Sequence, residues 1–226
     1  MKNIILVILL FAIAAIGAAC NQAANNSAMN MNAMNHNSMM NNSSMNMNGM
    51  NHNSMPNSNM PMNHSEMKSD ANAASAPYDL QFIDTMTAHH TGAVEMAKMV
   101  DGKTQNADIK KFAAQIIKDQ EKEIAQMKEW REKWFDGKSA SKNMEMPGMS
   151  DSMKMDMSKL SNSKDKDFDL AFIEMMTSHH AGAVTMAKEA LTKSEKPEIK
   201  TLAGQIIKSQ EAEIKMMNEW KTKWAK

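Results

Sequence analysis

The chain has 226 residues, enough for one or two domains, and its 26 basic and 26 acidic side chains leave no net charge. This balance provides no basic surface for nucleic acid, which we exclude as a partner. Methionine is the outlier with 28 residues, whereas glycine (8) and proline (5) are scarce, and this composition favours helices.

Residues 1–19 have the pattern of a signal peptide. Lys2 precedes an apolar run over residues 4–16, and small residues follow this run. The run is shorter than a membrane-spanning helix usually requires. Cys20 is the only cysteine, and its position resembles that of the lipid-accepting cysteine of a bacterial lipobox. We therefore expect an exported lipoprotein on the periplasmic face of a membrane, the outer membrane if the host is Gram-negative. The alternative is ordinary cleavage and secretion, with Cys20 as a free thiol.

Residues 20–76 are predicted to form a disordered tail, because residues 21–76 contain no Leu, Ile, Val or aromatic side chain. The tail repeats a His-x-x-Met unit, whose spacing allows imidazole and thioether to meet on one side of a helical turn. These ligands suit Cu(I) and, by extension, Ag(I). A flexible spacer is the simpler alternative, but we expect weaker metal sites formed by His36, Met39, His52, Met55, His64 and Met67.

The region that follows the tail is predicted to be helical. From Tyr78 onward apolar residues recur at helical spacing, Gly102 closes a first helix, and a second helix runs over residues 109–134. The loop between the two helices is about five residues long, which predicts an antiparallel hairpin over residues 77–137.

This hairpin occurs twice in the chain. Residues 79–134 return without a gap as residues 169–224, at an offset of 90 positions, and this is an internal duplication. A single hairpin would leave its apolar stripe in water. Hairpins 77–137 and 167–226 are therefore expected to pack into one four-helix bundle with pseudo-two-fold symmetry, within residues 77–226, and the predicted fold class is all-α.

The connection between the hairpins, residues 138–166, lacks a core pattern and is expected to be a disordered, methionine-rich linker. Its Met-x-Met and Met-x-x-Met runs are a second signal for a soft metal. No histidine accompanies them, so a ligand role and a plain polar linker remain equally open. The runs contain Met144, Met146, Met149, Met153, Met155 and Met157.

Two pairs of adjacent histidines are the main chemical signal of the sequence. Successive helical positions are about 100° apart, so one imidazole of a pair can point inward while the other lies at a seam. Methionine alone is often core filler, but a packing histidine has no reason to recur as a pair with flanking methionines. Pseudo-symmetry would bring both sets towards one centre. The predicted metal ligands are Met86, His89, His90, Met96, Met127, Met176, His179, His180, Met186 and Met217.

Polar side chains on the second helix of each hairpin lie near the core line. Buried amides and carboxylates need hydrogen-bond partners, and fixing the tautomer of an imidazole meets that need. For the two glutamates, an ion pair at the rim is an equally good interpretation. Gly92 and Gly182, beside the histidine pairs, would let a partner helix come close. The polar residues concerned are Gln120, Glu123, Gln210 and Glu213.

Both halves resemble a known family over about 120 residues. The pattern Asp-x-x-Phe-x-x-x-Met-x-x-His-His-x-Gly-Ala-Val-x-Met-Ala begins at Asp79, and Gln-Ile-Ile-x-x-Gln-x-x-Glu-Ile-x-x-Met begins at Gln115. Together they resemble domain-of-unknown-function family 305. The resemblance implies a ferritin-like bundle of two hairpins. Because members of the CopM type are exported copper-binding proteins, it also implies copper handling by the histidines and methionines named above.

The predicted function is non-enzymatic binding of Cu(I), and of Ag(I) by extension, outside the cytoplasm. The protein would sequester, buffer or hand on the metal and so contribute to metal tolerance. Its partners would be the metal ion, a membrane through the lipid anchor, and a copper exporter or another periplasmic copper protein.

Two alternatives remain, a ferritin-like di-metal oxidase and a metal-free, lipid-tethered interaction module. Di-iron bundles use Glu-x-x-His, whereas the positions three before the histidines hold Met86, Thr87, Met176 and Thr177, which argues against iron. A metal-free module leaves the Met/His-rich tail unexplained.

Overall fold

The computed structural model describes residues 68–153 and 155–224, and this part of the chain is helical. A short 3-10 turn at Ala73–Ser75 precedes the first helix. The α-helices are α1 (Tyr78–Lys98), α2 (Ala107–Phe135), α3 (Met149–Met153), α4 (Met157–Asn162), α5 (Asp165–Lys193) and α6 (Pro197–Trp224). Within the described ranges, no helix has the length and apolar content needed to cross a membrane. The predicted signal peptide, Cys20 and the tail up to residue 67 lie outside the described residues.

Local signals set the ends of the first hairpin much as the sequence predicts. Gly102 lies in the connecting loop with a φ of 71°, in the left-handed region that favours glycine. Asn106 then caps α2, because its side-chain oxygen accepts hydrogen bonds from the backbone N–H groups of Asp108 and Ile109. The loop between α1 and α2 therefore reverses the chain, and the predicted hairpin is confirmed.

α1 pairs with α2 and α5 pairs with α6, and α1 lies antiparallel against α5. The start of each first helix is bound to the loop that closes the other hairpin. Asp79 accepts a hydrogen bond from the backbone N–H of Glu195 (3.3 Å), and Asp169 accepts one from the side chain of Asn106 (2.8 Å). Asp79 and Asp169 are duplicated positions, so the contacts follow the pseudo-two-fold relation. The all-α bundle of two repeated hairpins is confirmed.

The core consists of two apolar clusters, and each takes side chains from both hairpins. One contains Phe112, Phe168 and Phe172, and the other contains Phe82 and Trp130. Burial of a large apolar side chain contributes roughly 1.5–3 kcal/mol. Since neither hairpin completes a cluster by itself, this stabilisation depends on the pairing of the two.

The linker departs from the expectation of a disordered segment. It contains α3 and α4, and its six methionines are buried, with exposed fractions of 0–9%. The methionine spacing matches no single helical or strand period, because the segment bends between short helices. The core nevertheless uses these side chains, since the flexible thioether fills irregular gaps.

The close approach of α3 to α5 depends on two glycines. Gly148, with a φ of 89°, lies against Gly182 of α5. A Cβ at Gly182 would overlap the Gly148 carbonyl oxygen and the side chain of Ser152. Gly182 therefore accommodates a linker helix, whereas the sequence predicts that it accommodates a partner helix of the bundle.

The tail boundary at residue 76 also needs correction, because residues 68–76 pack on the linker. Backbone N–H of Asp70 donates to the carbonyl of Lys142 (2.9 Å), and backbone N–H of Lys142 donates to the Asp70 carboxylate (2.7 Å). Backbone N–H of Met144 donates to the hydroxyl of Ser69 (2.9 Å). Polar contacts hold this segment, which explains why a search for apolar residues misses it.

We expect Gly182→Ala to destabilise the fold by about 1–3 kcal/mol, the usual effect of overpacking, because the new methyl group meets backbone of the linker. Gly204→Ala is the matched control. Gly204 is also helical and a Cβ there meets nothing within 4 Å, so the substitution should stabilise α6 by about 0.5–1 kcal/mol. Chemical denaturation of both variants measures the difference, and equal effects would contradict the described contact.

Candidate metal centre

The four paired histidines lie in the bundle interior, and the first members of the two pairs meet where α1 crosses α5. The rings of His89 and His179 are 3.7 Å apart between centroids, at an interplanar angle of 39°. All four imidazoles are buried, with exposed fractions of at most 1%. One imidazole of each pair lies at the centre, and the other lies at the boundary with the second helix of its own hairpin. Positions about 100° apart face two different neighbours, so that His89 contacts α5 while His90 contacts α2.

The second histidine of each pair is bonded to a glutamate of the neighbouring helix. Nε2 of His90 lies 2.7 Å from Oε2 of Glu123, and Nε2 of His180 lies 2.7 Å from Oε2 of Glu213. The glutamate side chains keep exposed fractions of 18% and 20%. Of the two interpretations of these glutamates, the structure favours contact with an imidazole.

This contact selects one tautomer of the neutral imidazole. An ionised carboxylate only accepts hydrogen bonds, so Nε2 must carry the proton and Nδ1 must carry the lone pair. Nδ1 of His90 and Nδ1 of His180 are buried, and neither has a hydrogen-bond partner in the described part of the chain. A buried polar atom without a partner costs about 1–3 kcal/mol. Two nitrogen atoms able to bind a metal are thus kept inside the fold at the expense of stability.

His89 receives its hydrogen-bond partner from the linker. Oγ of Ser152 lies 2.8 Å from Nε2 of His89, and it also lies 2.5 Å and 2.9 Å from the carbonyl oxygens of Gly148 and Met149. The single hydroxyl proton is donated to a carbonyl, so the oxygen accepts from Nε2–H of His89. A residue of α3 thereby sets the orientation and tautomer of an imidazole in the core.

The six predicted methionine ligands are fully buried, but they divide between the two core clusters. Met86, Met127 and Met186 belong to one, and the pseudo-symmetric Met96, Met176 and Met217 belong to the other. Antiparallel packing explains the division, because it brings the residue before one histidine pair beside the residue after the other pair. Each set combines both hairpins, so the thioethers flank the imidazoles on two sides, whereas the sequence suggests a single centre.

Each methionine on a second helix also has a hydroxyl neighbour. Oγ1 of Thr87 lies 3.9 Å from Sδ of Met127, and Oγ1 of Thr177 lies 3.6 Å from Sδ of Met217. Sulfur is a weak acceptor, so these contacts orient the thioether only weakly and leave a second lone pair available. The prediction from sequence omits the two threonines as contacts of sulfur, although they occupy duplicated positions three residues before the second histidine of each pair.

The linker methionines extend both sulfur-rich clusters. Met144, Met146, Met149 and Met153 join the cluster of Met86, and Met155 and Met157 join the cluster of Met96. The described residues contain no group of three or more His, Cys, Asp or Glu side chains placed to hold a metal ion. The histidines and methionines of the predicted tail sites lie outside the described residues, as does Cys20.

Gln120 and Gln210 lie in the interior as expected, with exposed fractions of 4% and 3%. They line a cleft of about 180 Å³ between α2 and α6 together with Glu123 and Glu213. The four predicted polar residues therefore border one space, and its inner wall includes the glutamates that contact the imidazoles.

Several solved structures are similar to this chain. Copper-bound CopM, in its Cu(I) form, is 39% identical, with a TM-score of 0.55, over 65% of this chain and 96% of its own. A DUF305 protein from Streptomyces coelicolor is 29% identical, with a TM-score of 0.61, over 69% and 96% of the two chains. A DUF305 fragment from Deinococcus radiodurans is 25% identical, with a TM-score of 0.55, over 66% and 97%.

No curated protein matches the sequence. The profile of the family described as Domain of unknown function (DUF305) matches residues 12–131 and again residues 79–221. The two matches together span most of the chain and cover both hairpins, in agreement with the motifs that surround the histidine pairs. The chain therefore belongs to the DUF305 family.

Proposed function

We propose that this protein binds Cu(I), and likewise Ag(I), as cargo outside the cytoplasm and does not act as an enzyme. The observation that carries the proposal is the pair of buried Nδ1 atoms on His90 and His180. Each is held as a lone-pair donor by a glutamate on the opposite nitrogen. This arrangement fits a metal-binding imidazole, which commonly donates its other ring nitrogen to a carboxylate.

The remaining ligand atoms favour a soft monovalent ion. Six fully buried thioethers flank the four imidazoles, and thioether ligands are uncharged and soft. An uncharged ligand set stabilises a monovalent cation without burying a compensating anion. A harder divalent ion such as Zn(II) would favour carboxylate, thiolate or imidazole ligands.

The solved relatives support copper and silver as the metals that this protein binds. CopM has been solved in Cu(I)-bound, Cu(II)-bound and Ag-bound forms, at 38–42% identity to this chain. A role in storage, buffering or delivery, and hence in metal tolerance, extends the proposal from binding to physiology. The signal-like residues 1–19 and Cys20 support export and lipid anchoring, with a copper exporter or another periplasmic copper protein as the receiver.

We favour metal binding over oxidase activity because of the contacts that the carboxylates make. Glu123 contacts His90 and Glu213 contacts His180, so each carboxylate supports one imidazole. Di-metal oxidases instead use glutamates as direct metal ligands beside histidine. Here the position three before the bonded histidine is a threonine, which contacts a methionine sulfur.

Cu(I) and Ag(I) should bind at least tenfold more tightly than Zn(II), because thioethers discriminate in favour of soft ions. Competition with a chromophoric chelator for each metal, under anaerobic conditions for Cu(I), measures the three affinities. Equal or tighter binding of Zn(II) would refute the assignment of the methionines as ligands.

Glu123→Ala should weaken Ag(I) binding by about 10–100-fold, the usual effect of removing the partner of a metal-binding histidine. Glu123→Gln should have a smaller effect because its amide oxygen still accepts from Nε2–H. Glu121→Ala is the matched control, since Glu121 forms an exposed ion pair with Lys98 (2.9 Å). Isothermal titration of the variants provides the affinities, and a similar loss with Glu121→Ala would contradict the role of Glu123.

Tail and bundle should differ in affinity. A chain segment that must become ordered when it binds loses conformational entropy, whereas ligands on packed helices are already in place. Removal of residues 21–67 should therefore lower the number of ions bound and keep the tight class. Changing His89, His90, His179 and His180 together to Ala should remove the tight class and keep the weak one. Metal analysis with titration counts both classes, and tight binding by the quadruple variant would contradict the proposal.

A further inference from the structure

The side chains that line the cleft between α2 and α6 differ in chemical type from the buried histidine and methionine ligands. It has a volume of about 180 Å³, and oxygen-bearing side chains of both helices line it. Glu123 and Glu213 form part of this lining, and each also contacts a buried imidazole through Oε2. The cleft therefore adjoins the histidine core through two residues that belong to both.

Two amide oxygens in the cleft lack protein partners. Oε1 of Gln120 and Oε1 of Gln210 are buried, and neither forms a hydrogen bond within the described residues. The two side chains are at least nine-tenths buried and occupy duplicated positions. A buried carbonyl oxygen without a donor is a ready acceptor for water or a ligand for a cation. The duplication places two such atoms on facing walls of one cleft.

The charges of the lining favour a cation. Asp119, Glu123 and Glu213 provide three carboxylates, while Lys122 provides one ammonium group. A cleft whose lining has an excess of one sign of charge concentrates ions of the opposite sign and raises their rate of association. Oxygen ligands also hold a soft ion less firmly than thioether and imidazole do. The negative charge would draw an ion into the cleft, and the oxygen ligands would bind it weakly enough for it to leave. Conduction through a selective site requires both properties.

We propose that the cleft between α2 and α6 is the passage through which the monovalent metal ion reaches and leaves the histidine core. The amide oxygens of Gln120 and Gln210 replace part of the hydration shell on the way. Glu123 and Glu213 mark the inner end of the passage, where the ion changes from oxygen ligands to nitrogen and sulfur. This inference rests on the proposed binding of Cu(I) and Ag(I) by the core.

A passage has a kinetic signature that a binding site lacks. Obstructing it slows association and dissociation by the same factor and leaves the dissociation constant unchanged. Ser209 lines the cleft from α6 and is exposed, so Ser209→Phe places a bulky ring in the opening. Thr201→Phe is the matched control, because Thr201 is an exposed residue of α6 that is not part of the lining.

The experiment measures Ag(I) uptake and release by stopped flow, with the full-length protein and a chromophoric competitor. Ser209→Phe should slow both rates at least tenfold with an unchanged dissociation constant, and Thr201→Phe should change neither rate. Asp119→Lys should slow association several-fold at low salt, with a smaller effect at high salt, because screening weakens the attraction. This second variant leaves the core untouched and tests the passage even if Ser209→Phe folds poorly.

Unchanged rates in folded Ser209→Phe and in Asp119→Lys would overturn the passage, and so would a dissociation constant that rises through release alone. These outcomes would not contradict the proposed binding of Cu(I) and Ag(I), because the unmodified protein still binds the ion. Absence of Ag(I) and Cu(I) binding by the unmodified protein would instead overturn the proposed function itself.

Discussion

The antiparallel contact of α1 with α5, centred on the rings of His89 and His179, is the interaction on which the rest of the bundle depends. It brings polar imidazoles into an interior that could have been wholly apolar. Burial of such groups is tolerated only when their hydrogen bonds are satisfied or a ligand completes them. The surrounding helices supply this support, with α2 and α6 contributing carboxylates and α3 a hydroxyl.

Duplication simplifies the construction of this interior. One hairpin sequence provides a histidine pair, a glutamate and three methionines on two helices, and a second copy generates the facing half. The contacts of Asp79 and Asp169 also follow from the duplication, since each residue fixes its own helix to the loop of the other copy. The linker is the part that does not repeat within the bundle. Its Ser152 reaches His89 and so adds to one half a contact that the hairpins themselves do not encode.

Much of the bundle could be predicted from the sequence because its signals are periodic and repeated. Helical spacing and the duplication predict both hairpins, and the core line of α2 predicts that Glu123 can reach an imidazole. The linker could not be predicted in this way, because its methionines follow no period and its position depends on Gly148 meeting Gly182. The separation of Met86 from Met96 could not be predicted for a related reason. Spacing along one helix cannot reveal which neighbour lies at each end of it.

Complete burial of the core methionines has a consequence for their chemical survival. Oxidants convert a thioether into a sulfoxide, which is polar and chiral and a different ligand from the thioether. Met86, Met96, Met127, Met176, Met186 and Met217 are fully inaccessible to solvent in this fold. Packing thus shields these sulfur atoms from oxidants in solution as long as the protein stays folded. Oxidative damage should accumulate in molecules that have opened, so that loss of structure and loss of ligand chemistry would occur together.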